Sequence, residues 1–162
     1  MLTGITHIEA DKKLADCRIA IVCSKYNSHV VDRLLQGCLT ALAQAGVDGK
    51  SVTLVKVPGA YEISIIVKQL AEQGSYTAII TLGAIIRGET PHFEFISQAC
   101  ADGIARVSLD SGIPVIFGVL TVDNMQQALD RSGDEESNKG SESALAALEM
   151  ISVTRKIRGL FT

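Results

Sequence analysis

Residues 81–95, TLGAIIRGETPHFEF, carry the transition from a buried strand to a polar loop and then to a helix. The short, β-branched run of residues 78–82 that leads into this stretch is typical of a strand in a parallel sheet. Thr90 followed by Pro91 is the pattern of a helix N-cap and a proline at the first helical position. The stretch therefore predicts a strand, a loop and a helix. Such a loop lies where open α/β sheets bind ligands, phosphate above all.

The rest of the chain repeats this alternation of apolar runs and segments with helical spacing. The predicted strands are residues 18–23, 52–57, 78–82 and 113–120, and the predicted helices are residues 29–45, 60–73, 91–109, 125–131 and a last helix from about residue 139. The spacing of Asp123 and Gln126 predicts a capping box before the fourth helix. The pattern predicts one α/β domain over residues 17–162, with a parallel sheet between two layers of helices and an arm of residues 1–16 in front.

Composition limits the class of protein and its partners. With 162 residues, 47% hydrophobic and 20% charged, the chain suits one globular domain. The net charge of -3 gives no electrostatic argument for binding nucleic acid or an anionic membrane. The four cysteines have no CxxC or zinc spacing, and no apolar run approaches the roughly 20 residues that span a bilayer. We therefore expect a cytoplasmic protein.

Several common cofactor and hydrolase motifs are missing from the sequence. It contains no GxGxxG, GxSxG or HExxH. Gly49-Lys50-Ser51 is not the end of a P-loop, because Gln44 stands where the first glycine is needed and a strand follows instead of a helix. The residues imply no cofactor and no metal.

Polar residues follow every predicted strand and would meet at one edge of a parallel sheet. They are Tyr26 and Asn27 after the first strand, residues 59–62 after the second, residues 87–92 after the third and residues 121–124 after the fourth. His92 stands out because an imidazole in the first helical turn can exchange protons near neutral pH. Each residue also has a structural alternative: Tyr26 could pack over the sheet edge, and Glu62 could favour a helix dipole.

With these residues in place, the chain resembles the 6,7-dimethyl-8-ribityllumazine synthase family over about residues 18–157. The order and spacing of several motifs carry the resemblance. These are Lys25-Tyr26-Asn27; VPGAYEI at residues 57–63; LGAIIRGET at residues 82–90 with His92-Phe93-Glu94; FGVLT at residues 117–121; Gln127-Ala128 with Arg131; and Asn138-Lys139-Gly140 with Glu142.

The resemblance implies a reaction and a set of site residues. The reaction condenses 5-amino-6-(D-ribitylamino)uracil with 3,4-dihydroxy-2-butanone 4-phosphate through an imine, with loss of phosphate and water. The implied pyrimidine and ribityl site is Tyr26, Asn27, Ala60, Tyr61, Glu62, Ile85, Ile86 and Phe117, of which the last three line an apolar floor. The implied phosphate site is Gly88, Glu89, Thr90 and Arg131, with His92 as the proton carrier and Lys139 and Glu142 in support.

The resemblance also implies a fold and an assembly. It indicates a three-layer, flavodoxin-like sheet of strand order 2-1-3-4. The family builds its active sites between adjacent subunits, so we expect a homopentamer or a larger assembly up to a sixty-subunit shell, with riboflavin synthase as a further partner. Two departures from the common family pattern are Lys25, where arginine is frequent, and the acidic loop of residues 133–137, which in this family bears on shell formation.

Two other functions fit part of the pattern. A sugar-phosphate isomerase would use the same phosphate-binding helix start and a histidine or carboxylate base, but it would not need an aromatic platform at Tyr26. A non-catalytic protein that binds lumazine or flavin, or that serves as a shell, would not need His92, Arg131 and Glu62 together. The intact set of polar residues favours the synthase.

Overall fold

The computed structural model describes residues 2–11, 14 and 16–160. The strands are β1 (Ile19–Ser24), β2 (Val52–Val57), β3 (Ala78–Ile86) and β4 (Val115–Val122). The helices are α1 (Ser28–Gln44), α2 (Ile63–Glu72), α3 (His92–Ser111), α4 (Met125–Asp130) and α5 (Lys139–Arg158). Three short 3-10 turns lie at Gly49–Ser51, Ala60–Glu62 and Glu135–Ser137.

The four strands form one parallel sheet of order β2-β1-β3-β4, which confirms the predicted strand order. All six residues of β1 are buried, and so are the first eight of β3, because these two central strands are covered on both faces. The edge strands β2 and β4 are partly exposed. All four carboxyl ends therefore lie along the same edge of the sheet.

Alternate residues of the central strands point into two separate cores. Ile19 and Ile21 pack with α1 and α5 on one face, whereas Ala20 and Val22 pack with α2 and α3 on the other. This division confirms the predicted layers of helices on both sides of the sheet. None of the described helices is long and apolar enough to cross a membrane.

The third strand is longer than the sequence predicts. Residues 83–86 continue β3 and pair with residues 119–122 of β4, so the polar loop shrinks to residues 87–91. The predicted strand end at residue 82 is wrong because pairing with a neighbour, rather than local composition, sets where this strand stops. The residues Ala60–Glu62 likewise form a 3-10 turn rather than the first turn of an α-helix.

Two predicted helix caps are also wrong. The cap position of α3 is Pro91 rather than Thr90, which makes His92 the first helical residue. The cap of α4 is Asn124, whose Oδ1 accepts a hydrogen bond of 2.9 Å from the Gln127 amide. The side chain of Gln127 in turn accepts a 2.7 Å hydrogen bond from the Asp123 amide, so the reciprocal bonds involve Gln127 and not Gln126.

One buried asparagine joins α1, α5 and the loop between α4 and α5. Asn138 Oδ1 accepts hydrogen bonds from the amides of Gly140 at 2.8 Å and Ser141 at 3.1 Å. Its Nδ2 donates to the carbonyl oxygens of Arg33 at 3.1 Å and Gly133 at 3.0 Å. Asn138 thus caps α5 and ties the start of that helix to α1.

Gly140→Ala is expected to destabilise the fold strongly. A Cβ atom at Gly140 would overlap the carbonyl oxygen of Leu34, so α1 and α5 would have to separate. We expect a loss of about 3 kcal/mol in the free energy of unfolding, measured by denaturant titration. Gly49→Ala is the matched control, since a Cβ there meets no atom within 4 Å, and it should change stability by less than about 0.5 kcal/mol. Equal stability of the two variants would contradict this packing argument.

All four cysteines are buried and carry free thiols. Burial raises the pKa of Cys23 and Cys38 from 9.0 to about 12 and that of Cys100 to about 11. Because the folded chain keeps these protons longer than the unfolded chain does, their contribution to stability is complete below pH 9. It is lost as the pH rises through the folded-state values.

We therefore expect the three thiols with raised pKa values to react with a disulfide reagent at pH 8 at least about 100-fold more slowly in the folded protein than in denaturant. Mass spectrometry of the labelled peptides would identify each site. Rapid labelling of Cys23, Cys38 or Cys100 in the folded protein would contradict the prediction.

The N-terminal segment contacts the end of α5. The Asp11 amide donates a 2.8 Å hydrogen bond to Ser152 Oγ, and Lys156 Nζ binds Asp11 Oδ1 at 2.7 Å and the Glu9 carbonyl oxygen at 2.6 Å. Leu2 and Ile5 are exposed. Part of the segment predicted as an arm is therefore attached to its own chain.

Candidate active site

Two cavities open near the carboxyl edge of the sheet. The first cavity has a volume of about 540 Å³ and lies between the loops that follow β1, β2 and β3. The predicted site residues that line it are Tyr26, Asn27, Ala60, Tyr61, Glu62, Ile85, Ile86, Gly88, Thr90 and His92. Ten of the predicted residues are thus brought together on one side of the molecule.

The second cavity has a volume of about 950 Å³ and lies between β4, α4 and α5. Phe117, Arg131, Lys139 and Glu142 line it. Arg131 is therefore separated from the residues at 88–90 with which it was predicted to bind phosphate, and Phe117 is separated from the predicted floor residues Ile85 and Ile86. Glu89 is exposed in the loop after β3.

The loop after β1 is held against the turn after β2. The amide of Lys25 donates to the Val57 carbonyl oxygen at 2.8 Å, and that of Tyr26 donates to Pro58 at 3.1 Å. The Tyr26 side chain is 74% exposed, so its ring stands at the rim of the first cavity and can offer a face to a planar ligand.

Asn27 turns the chain from this loop into α1. Its φ of 57° lies in the left-handed region, which asparagine adopts more readily than most residues. Its Nδ2 donates a 2.9 Å hydrogen bond to the carbonyl oxygen of Ala84 in β3. Asn27 therefore has a structural role in shaping the first cavity, in addition to whatever contact it makes with a ligand.

Glu62 closes the turn after β2. One of its carboxylate oxygens accepts a 3.1 Å hydrogen bond from the Gly59 amide, which fixes the carboxylate beside Ala60. The side chain is exposed at the first cavity, so the carboxylate can also accept hydrogen bonds from hydroxyl groups of a ligand.

Arg87 is a residue of this region to which the sequence assigned no role. Its Nε donates to Asp123 Oδ1 at 2.9 Å, its NH1 pairs with Glu94, and its guanidinium carbon lies 4.3 Å from the centroid of the Phe93 ring. The hydrogen bond to Asp123, then that to Glu94, raises the pKa of Arg87, and the bond to Arg87 lowers the pKa of Glu94. The only indication of this role in the sequence is a cation that directly follows the apolar run of residues 78–86.

The second cavity has two cations, Arg131 and Lys139, at the junction of α4 and α5, and it is also lined by Asp130, Glu136 and Glu142. Arg131 directly follows α4 and donates from Nη1 to the Gln127 carbonyl oxygen at 3.1 Å, while its own carbonyl oxygen accepts from the Lys139 amide at 2.8 Å. Lys139 Nζ pairs with Glu142 Oε1 at 2.9 Å. An antiparallel bridge between Ser132 and Asn138 closes the intervening loop. The second cavity can therefore offer a guanidinium and an ammonium group to an anion.

Together the cavities supply complementary chemistry. The first contains an aromatic face, hydrogen-bonding groups and an imidazole, and the second contains the cations. Among the described residues, no group of three or more histidine, cysteine or acidic side chains is placed to hold a metal ion.

A comparison with protein families identifies the chain. Residues 16–155 match the model of the family described as 6,7-dimethyl-8-ribityllumazine synthase. The matched range starts before β1, ends within α5 and includes every residue that lines either cavity. The chain belongs to the 6,7-dimethyl-8-ribityllumazine synthase family of transferases, and its function is the formation of this lumazine in riboflavin biosynthesis.

Proposed function

We propose that the first and second cavities are two halves of one active site, and that a complete site forms where the first cavity of one subunit meets the second cavity of an adjacent subunit. The observation that carries this proposal is the separation of the cations from the imidazole and the aromatic face on a single chain. A reaction that joins a pyrimidine to a phosphorylated ketone needs both sets of groups.

The first cavity would hold 5-amino-6-(D-ribitylamino)uracil. Tyr26 would stack on the pyrimidine, because its exposed ring gives a flat contact area without a formal charge. The substrate hydroxyls would bind Asn27, Ala60, Tyr61 and Glu62, over an apolar floor of Ile85 and Ile86. Phe117 would cover the substrate from the adjacent subunit.

The phosphate of 3,4-dihydroxy-2-butanone 4-phosphate would bind where the subunits meet. Gly88, Glu89 and Thr90 precede α3 and would offer amide and hydroxyl donors near a helix start. Arg131 of the adjacent subunit would add two hydrogen bonds and a positive charge. Lys139 and Glu142 would support that charge without taking part in the chemistry.

His92 would carry protons during the reaction. The amine of the pyrimidine attacks the ketone carbonyl, a C=N bond forms and water leaves, after which the C–O bond to phosphate breaks. The ribitylamino nitrogen then attacks the carbonyl group that phosphate loss creates, and a second water leaves as the ring closes. Each stage needs a proton removed from nitrogen or carbon or delivered to a departing oxygen, and an imidazole does both near neutral pH. Holding the two substrates together would supply much of the remaining acceleration.

The direct test mixes both substrates with the protein and follows lumazine absorbance and fluorescence. We expect formation well above the uncatalysed condensation, and we expect it to depend on the phosphate group, so the dephosphorylated ketone serves as the control. A rate equal to the uncatalysed rate would overturn the assignment of this site.

A mixture of two variants of low activity, measured at low ketone concentration, tests whether the site is shared. His92→Ala damages the first cavity and Arg131→Ala damages the second. Equal amounts of the two variants are dissociated into subunits and assembled together. Because each half of a site is intact with a probability of one half, about one quarter of the sites combine two intact halves, and about one quarter of wild-type activity should return. Activity that stays at the level of the separate variants would mean that each site lies within one chain.

The assembly and the cellular setting belong to the same proposal. We propose at least a pentamer, with residues 1–16 acting as an arm beside the domain of residues 17–162, a cytoplasmic location and riboflavin synthase as a partner. A monomeric mass by light scattering with activity retained would refute the assembly.

A further inference from the structure

Arg87 stands at the junction between the two cavities of one chain. Its amide donates a 2.9 Å hydrogen bond to the Val122 carbonyl oxygen, just beyond the last paired residues of β3 and β4. Its side chain reaches Glu94 and Phe93 at the start of α3 in one direction and Asp123 in the other. The guanidinium therefore contacts both the helix that begins with His92 and the turn that leads into α4.

A chain of contacts continues from that turn to the cation of the second cavity. The Asp123 amide donates to Gln127 Oε1 at 2.7 Å, and the Gln127 carbonyl oxygen accepts from Arg131 NH1 at 3.1 Å. The helix between these residues has only one and a half turns, so the position of Asp123 at its start sets the position of Arg131 at its end.

Stability alone does not explain this cluster. The side chains of Arg87, Glu94 and Asp123 are 43%, 54% and 65% exposed, and ion pairs exposed to this degree contribute little to folding. What they fix is geometry, because a planar guanidinium can bind two carboxylates and lie against a ring at the same time. The single ammonium group of lysine cannot reproduce that arrangement.

We propose that Arg87 is a positioning residue for the phosphate-binding groups, and that it holds the loop of residues 88–90 and, through Asp123 and Gln127, the side chain of Arg131. This inference rests on the proposed function of the two cavities. It assigns to Arg87 no contact with substrate and no proton transfer. Each chain contributes its first cavity to one active site and its second cavity to another. Arg87 would thus fix the position of these two cavities relative to each other.

The test compares Arg87→Met, Arg87→Lys and Asp123→Asn with Lys50→Met, which removes an exposed cation far from both cavities. We expect each Arg87 variant and Asp123→Asn to raise the KM for the phosphorylated ketone about tenfold, with the KM for the pyrimidine changed less than about twofold. The double variant Arg87→Met/Asp123→Asn should be no worse than the poorer single variant, because both changes break the same path. Rescue by lysine, or a double effect equal to the product of the single effects, would overturn the proposal.

Binding of inorganic phosphate, followed by ³¹P NMR, separates this inference from the proposed function. Arg87→Met should weaken phosphate binding about tenfold while the melting temperature changes by less than about 2 °C. If the wild type forms no lumazine but binds phosphate about tenfold more tightly than Arg87→Met does, the proposed function fails and the role of Arg87 stands. If lumazine forms and the Arg87 variants bind phosphate like the wild type, the role of Arg87 alone fails.

Discussion

Replacing His92 with alanine is expected to lower kcat for lumazine formation about 100-fold, with a change of less than about threefold in either KM. The imidazole lies at the first residue of α3, lines the first cavity and is exposed to an entering substrate. Its loss removes proton transfer but leaves the aromatic face and the apolar floor that hold the pyrimidine. The reaction should continue at a reduced rate, because holding the substrates together does not depend on this side chain.

A matched control makes this result specific. His7→Ala removes an exposed imidazole from the N-terminal segment and should leave kcat unchanged. An unchanged kcat, or a large rise in KM alone, would assign His92 to binding rather than to proton transfer.

Replacing Arg131 with alanine is expected to lower kcat/KM for the phosphorylated ketone about 100-fold, equivalent to about 3 kcal/mol of lost charge-assisted hydrogen bonding. Arg131 follows α4 and lines the second cavity with Lys139, but the Lys139 ammonium is paired with Glu142 and lacks the planar pair of donors of a guanidinium. The KM for the pyrimidine should stay within about twofold of the wild-type value, since that substrate is assigned to the other cavity.

Arg131→Lys distinguishes charge from geometry. It keeps the positive charge but loses the planar pair of donors, so we expect it to recover only part of the lost kcat/KM. With the dephosphorylated ketone, the wild type and Arg131→Ala should react at similar rates. If Arg131→Ala leaves the kinetics with the phosphorylated ketone unchanged, the phosphate assignment is wrong.

Local pattern was sufficient to predict most of the fold. Apolar runs placed β1 and β2 to within a residue, and Gly46 and Gly74 marked the ends of α1 and α2 because glycine adopts a positive φ there. The end of β3 was missed because its last four residues become a strand only by pairing with β4, and that partner lies more than thirty residues away in the chain.

The composition of the first cavity also followed from the sequence, because polar residues after parallel strands must meet at one edge. The separation of Arg131 and Phe117 from that cavity did not follow. Both residues lie after the third βα unit, and the path of β4 and α4 places them at the second cavity and not at the first. Arg87 was assigned no role because its partners, seven and 36 residues further along the chain, become neighbours only when the strands align.

The acidic loop of residues 133–137 is held at both ends, so a substitution within it need not move the residues outside it. Its two ends are fixed by the Ser132–Asn138 bridge. The side-chain amide of Asn138 also forms hydrogen bonds with the backbone of Arg33, of Gly133 and of the start of α5. Residues between these two ends can be replaced by residues of different charge while the backbone hydrogen bond between Arg131 and Lys139 is kept. We therefore expect changes of surface charge in this loop to leave Arg131 and Lys139, each two positions from an end of the loop, in place.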